Sequence, residues 1–183
     1  MTIDFRHVPP PAPDHPHLPL VRVPAAGNWL IALTCWELLQ TGTHFVGRRT
    51  VPHLKERCPG CKVGKPVRYE AYASGVRSSD KKHLIIALTP TAARDLFEAL
   101  PNPNQLRGHI VTFTRHGKQS NGTLRITTEG SMLSHDRLPP APDLLAHMLD
   151  IWGLDASHLG TDHQGYAHDV ARELDPTSTP DAS

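Results

Sequence analysis

The stretch Cys58-Pro59-Gly60-Cys61 sets two thiols three residues apart in a tight turn, a spacing that lets two thiolates reach one tetrahedral ion. Zinc takes sulfur and nitrogen donors of this kind, and its structural sites are closed by four protein ligands. No second Cys-x-x-Cys follows, so the remaining donors must come from elsewhere in the chain. His53 precedes Cys58 across Leu54-Lys55-Glu56-Arg57, and His44 opens the β-branched stretch just before it. The expected ligand set is therefore His44, His53, Cys58 and Cys61, holding a structural Zn(2+). Cys35, the remaining thiol, and His83 are further donors, and with 13 histidines in the chain a nearby imidazole also arises by chance. Two other readings stay open. One is a metal-free turn with two free thiols. The other is a redox dithiol, which needs its first cysteine at a helix start, where the dipole lowers the thiol pKa. Gly64 and Pro66 leave no room for such a helix after Cys61. A closed site offers no position for water or substrate, so the ion is expected to brace a long charged loop and not to catalyse.

That loop carries Arg48, Arg49, Lys55, Arg57, Lys62 and Lys65, and it belongs to a basic body. Residues 40–130 hold 15 Lys or Arg against 6 Asp or Glu, whereas residues 131–183 hold 2 against 9, an asymmetry hidden by the net charge of +1. A basic body points to an anionic partner. Single-strand binders combine a basic groove with aromatic rings that stack on bases. The candidate contacts are Arg48, Arg49, Lys65, Arg68, Lys81, Lys82, Arg107, Arg115, Lys118 and Arg125, with Tyr72 as the stacking ring beside Arg68. Phe113 alternates with Arg115, His109 and Arg107, but it shares its side with Val111 and is assigned to the core; Tyr69 and Phe97 are core as well. The acidic tail, with Asp162, Asp169, Glu173, Asp175 and Asp181, is expected to compete for the basic groove or to dock protein partners.

The elements that position these groups follow from the hydrophobic pattern. Residues 43–51 are rich in β-branched and aromatic side chains, and residues 65–74 alternate, with Val67, Tyr69, Ala71 and Ala73 on one face and Arg68, Glu70 and Tyr72 on the other. Residues 83–89 form a short apolar run. Thr89 as N-cap and Pro90 in the first turn begin a helix with Ala93, Leu96, Phe97 and Leu100 on one stripe. Residues 106–117 and 122–130 make a hairpin around Lys118-Gln119-Ser120-Asn121-Gly122. A second helix follows, with Leu144, Leu145, Met148, Leu149 and Trp152 on one side, and Gly153 ends it. Residues 28–40 are apolar and fit helix or strand equally.

The order β-β-β-α-β-β resembles OB-fold single-strand-binding domains, in which a five-stranded, partly open barrel binds oligonucleotides. The resemblance covers residues 43–130, is one of architecture, and implies a binding surface around the second and third strands. The predicted organisation is a Pro-rich flexible arm (1–27), an OB-like barrel with a zinc knuckle in its first loop (28–130), a linker and amphipathic helix (131–153), and an acidic disordered tail (154–183). There is no Walker loop, nucleophile elbow, dinucleotide fingerprint or HExxH motif, so no enzyme is expected. Nor is there a signal peptide or an 18-residue apolar run, so the expectation is a cytoplasmic protein with no membrane partner. The predicted function is binding of single-stranded nucleic acid, DNA above all, with little sequence preference, in replication, recombination or repair. A zinc-stabilised protein-interaction module is the alternative.

Overall fold

The computed structural model describes residues 17–54, 58–100, 105–117 and 122–154. The acidic tail from residue 155, the Pro-rich start and Lys118 lie outside the described residues. Eight strands form one sheet: β1 Leu20–Val21, β2 Asn28–Leu33, β3 Leu39–Val46, β4 Arg49–Pro52, β5 Arg68–Arg77, β6 His83–Leu88, β7 His109–Arg115 and β8 Leu124–Met132. Three helices accompany them: α1 Pro59–Lys62, α2 Pro90–Ala99 and α3 Leu144–Trp152. The strand order is β1-β6-β5-β2-β7-β8, with β3 also on β5 and β4 on β3.

The ambiguous segment 28–40 is resolved by pairing. β2 and β3 lie one after the other along the same edge of β5, with Leu33 opposite Gly75 and Leu39 opposite Tyr72. Between them Thr34 still receives its ladder bond, from its own N–H to the Ser74 carbonyl (2.9 Å). The chain then turns outward at Trp36 and re-enters the sheet at Leu39. Beyond this break β2 takes β7 as its second neighbour and β3 takes β4. The predicted first strand is thus a hairpin, β3–β4, at the far end of a longer strand line.

The five-stranded closed barrel is not what the chain forms. The sheet is open, and among the described residues β6 and β8 do not pair. The edge of β6 is filled instead by β1, in parallel register, with Leu20 opposite Ile85 and Val21 opposite Ile86. Residues 17–27, predicted as flexible arm, therefore belong to the fold, and Leu18 and Val23 are buried in the core. The prolines do not prevent this two-residue edge strand because they flank it: Pro19 precedes Leu20, and its carbonyl accepts from the Ile85 N–H (2.9 Å).

α2 begins as its sequence predicts: the Thr89 side chain accepts from the Ala92 N–H, Pro90 occupies the first turn, and Ala92, Ala93 and Leu96 are buried. α3 ends as predicted, with Gly153 left-handed at φ 68°, and begins with Asp143, whose side chain accepts from the Ala146 N–H. Leu144, Met148 and Leu149 face the core, whereas Leu145 is exposed. The main core joins Ile31, Leu33, Phe113, Ile126 and Leu96 into one cluster. A second cluster, Ala32, Val76, Ile110 and Leu138, lies on the opposite side of the sheet and is completed by Leu133 from the chain after β8. No helix among the described residues is long and apolar enough to cross a membrane.

Candidate metal centre and basic surface

The β3–β4 hairpin closes in two residues, with Val46 opposite Arg49. Gly47 and Arg48 both have positive φ (56° and 66°), the turn whose twist matches that of paired strands. Pairing sets His44 opposite Val51, and the chain leaves β4 at Pro52 with His53 still tied to the sheet through its N–H to the Gly42 carbonyl (2.7 Å). Both imidazoles then face the turn that carries the cysteines. That turn is a single helical turn, α1, with Cys58 at its N-cap, a helix the residues after Cys61 did not foretell. It fits because four residues suffice: Lys62 N–H bonds Cys58 O (3.1 Å), Gly64 N–H bonds Cys61 O (3.0 Å) and Lys65 N–H bonds Gly60 O (2.9 Å), and Gly64 turns left-handed at φ 65° to end it.

The donor atoms of His44, His53, Cys58 and Cys61 all lie within 4.8 Å of one another. His44 Nε2 is 2.9 Å from His53 Nδ1, and Cys61 Sγ is 3.6 Å from the first and 3.5 Å from the second. Zinc bond lengths in a tetrahedron separate nitrogen from sulfur by roughly 3.5 Å and two nitrogens by roughly 3.3 Å. The sulfur–nitrogen spacings match, and the imidazole pair needs only a few tenths of an ångström. His44 Nδ1 stands 3.1 Å from the Pro66 carbonyl, which can only accept, so the proton sits on Nδ1 and the Nε2 lone pair faces the other ligands. Such outer hydrogen bonds fix the tautomer of metal-binding histidines. Burial, with His44 beside it, lowers the His53 pKa and favours the neutral ring that a metal requires. Burial works against a thiolate at Cys58, but hydrogen bonds from the backbone of Cys61, Leu54 and Gly60 and from the Cys61 thiol outweigh it and lower the pKa. The donors fit a structural metal of the zinc type. The other candidate donors are engaged elsewhere: Cys35 accepts from the Ser74 N–H (3.3 Å), and His83 Nε2 is 2.9 Å from Thr34 Oγ1.

Gly60 is as necessary to this packing as the ligands. A Cβ there would stand 2.2 Å from His44 Cγ and 2.5 Å from His44 Cβ and Cδ2. Gly60→Ala is expected to displace the ring and weaken zinc binding about 10-fold or more, the scale of disturbed outer-shell support. Competition with a chromogenic chelator measures it. Unchanged affinity would mean that His44 does not pack on the turn.

The predicted nucleic-acid contacts divide sharply. Arg48, Arg49, Lys65 and Arg68 are exposed, on the hairpin tip, just after α1 and at the start of β5, and Lys62 on α1 joins them. Arg125 is exposed on β8, which among the described residues pairs with β7 alone and shares no ladder with the hairpin. Lys81 and Lys82 lie in the β5–β6 turn, where Lys82 Nζ is 3.9 Å from Asp80. Three candidates are overturned. Tyr72 is fully buried, 6.0 Å from the Trp152 ring, and its hydroxyl donates to Glu70 Oε2 (3.0 Å). Strand alternation misleads there because α3 covers the face that the sequence marks as polar; Ala71 through Val76 are buried on both sides. Arg107 is buried, donating to the carbonyls of Thr34 (2.7 Å), Pro139 (2.8 Å) and His135 (3.3 Å). Arg115 is buried too, donating to Val23 O and Gly122 O, both at 2.6 Å. Both guanidiniums tie loops to the sheet and are unavailable to a ligand. Phe113 is core, as its side of the strand predicts, and Phe97 packs against that core, but Tyr69 is exposed.

Sequence reasoning missed Phe45, which is 54% exposed. The signal was present: if His44 turns inward to the ligands, strand alternation turns Phe45 outward. No family model matches this chain, and no curated protein or solved structure is significantly similar to it.

Proposed function

We propose that the chain is a non-catalytic, zinc-stabilised nucleic-acid-binding protein that takes single strands, DNA above all, with little sequence preference, in replication, recombination or repair. One observation carries this reading. Arg48, Arg49, Lys62, Lys65 and Arg68 crowd the hairpin and the turn beside it, and among the described residues none of them meets a carboxylate. Arg22, Arg77, Lys82 and Arg94 elsewhere each lie within 4.0 Å of one. A protein surface normally intersperses its charges; five cations on one projection with no described carboxylate beside them leave an anion-attracting field. With Tyr72 under α3, the proposed interface moves from the middle of β5 to the hairpin and the turn. The ion's part is positional: it ties β3, β4 and α1 together so that the cations need not be ordered by the ligand itself, a cost that would otherwise weaken binding.

Exposed Val63 and Val67 beside these cations favour a second reading, a zinc-stabilised module for protein partners. Salt separates the two. Binding of labelled oligothymidine is expected to fall steeply with salt. Arg48→Ala/Arg49→Ala/Arg68→Ala is expected to flatten the log–log slope by about 2, at about 0.7 for each phosphate that the protein no longer neutralises. Absence of binding at low salt would overturn the nucleic-acid reading and leave the protein-interaction one.

A further inference from the structure

We propose that Phe45 is a base-stacking residue and that its ring gives the hairpin a preference for single strands over duplex; this rests on the nucleic-acid reading above. Phe45 is 54% exposed, and it makes no ring contact among the described residues. Burying such a side chain would stabilise the fold by about 1.5–3 kcal/mol, so its outward placement contributes nothing to the core. Its position is held from both sides. Its cross-strand partner is Thr50 on β4, and its chain neighbour His44 is anchored to the ligand cluster. Strand alternation then fixes the ring on the face away from the cysteines.

That face also carries the charge a strand of nucleic acid needs. Thr43 pairs with Arg68, and Phe45, two residues on, shares the face of both. Such diagonal neighbours stand roughly 7–8 Å apart, within reach of long side chains. Arg48 follows in the two-residue turn at the hairpin tip, whereas Arg49, paired with Val46, lies on the face of His44, so the exposed ring stands between Arg68 and Arg48 along the strand direction. Tyr69 cannot substitute for it. Tyr69 pairs with Gly42, and Gly42 and His44 lie on the opposite face, toward the ligand cluster. In a duplex both faces of each base are covered by its neighbours, whereas a single strand offers a free base face to the ring. The phosphates alone would attract either form; the ring discriminates.

The test uses the full-length, zinc-loaded protein with fluorescein-labelled oligothymidine and a duplex of equal length. Phe45→Leu keeps the apolar bulk and removes the π-face. It is expected to weaken single-strand binding about 10-fold, within the range of one base stack, with the salt slope and duplex binding unchanged. Phe45→Tyr and Phe45→Trp are expected to keep wild-type affinity within about 2-fold, and they serve if the leucine variant loses zinc or fails to fold. Wild-type affinity in Phe45→Leu, alongside weakened binding in Arg49→Ala, would overturn the stacking role and leave the nucleic-acid reading standing. Equal weakening toward duplex and single strand would also overturn it, because the ring would then not discriminate. If the wild-type protein binds neither form at low salt, the underlying reading fails and this inference fails with it.

Discussion

Cys58→Ser/Cys61→Ser is expected to abolish zinc binding, taking the metal content of the purified protein from one equivalent to none. It is also expected to release the turn from the hairpin. The scale is large, because a structural zinc in a small peptide contributes an apparent 10–16 kcal/mol of binding free energy that is coupled to folding. Here the loss should stay local. None of the described residues between 44 and 62 belongs to the main core, and the turn meets the rest of the fold chiefly through β3. The expected result is a sheet that still melts cooperatively, with faster hydrogen exchange at the Lys62, Gly64 and Lys65 amides, whose acceptors lie in the cysteine turn. Removing the ion from the unmutated protein with a chelator should reproduce both effects, and re-added zinc should reverse them. Unchanged exchange and melting in the double variant would sink the metal assignment.

Arg107→Met is expected to destabilise the whole domain by roughly 3 kcal/mol or more, since it leaves three carbonyls in or near the interior without their charged donor. Those carbonyls belong to Thr34, His135 and Pro139, so one guanidinium joins the break between β2 and β3 to the chain that runs from β8 to α3. The ring of Trp36 lies 5.6 Å from the same guanidinium and edges against His135 at 4.9 Å, which closes the junction. Methionine keeps most of the aliphatic volume, so the loss reports on the hydrogen bonds and not on a cavity. Arg107→Lys is expected to recover little, because one ammonium cannot match the planar fork that reaches carbonyls in three directions. A fall in Tm of roughly 10 °C is the expected reading. Below the melting transition, oligonucleotide affinity should stay at the wild-type value. Reduced affinity at full stability would return Arg107 to the binding surface.

The ligand set was legible in the sequence because its logic is local. Cys58 and Cys61 are three residues apart, and a turn of that length brings their thiols together in almost any context. His44 and His53 lie on the two arms of one tight hairpin, so strand pairing at short sequence separation delivers them to the same place. The same holds for the helix ends at Thr89 and Gly153, each a contact within about four residues. Which charges are free was not legible. Arg107 and Arg68 look alike in sequence, both basic and both in strand-like surroundings. Their fates diverge because residues 133–139 cross one and nothing among the described residues crosses the other.

Tyr72 makes the point at a single position. Alternation along β5 marks it as facing water, beside Arg68 and Glu70, and that inference assumes that one face of the strand is solvated. α3, about 75 residues later, covers that face, and Trp152 meets the tyrosine ring. Barrel closure fails for a related reason, since β1, far upstream, takes the free edge of β6 that the last strand would have used. Sequence by itself determined the two longer helices, the strands from residue 43 onward and which donors a short turn can gather; it left 28–40 open and missed β1 and α1. Only the tertiary structure decided which faces are covered, because burial depends on segments that meet after the chain has folded back on itself, and no local pattern records that meeting.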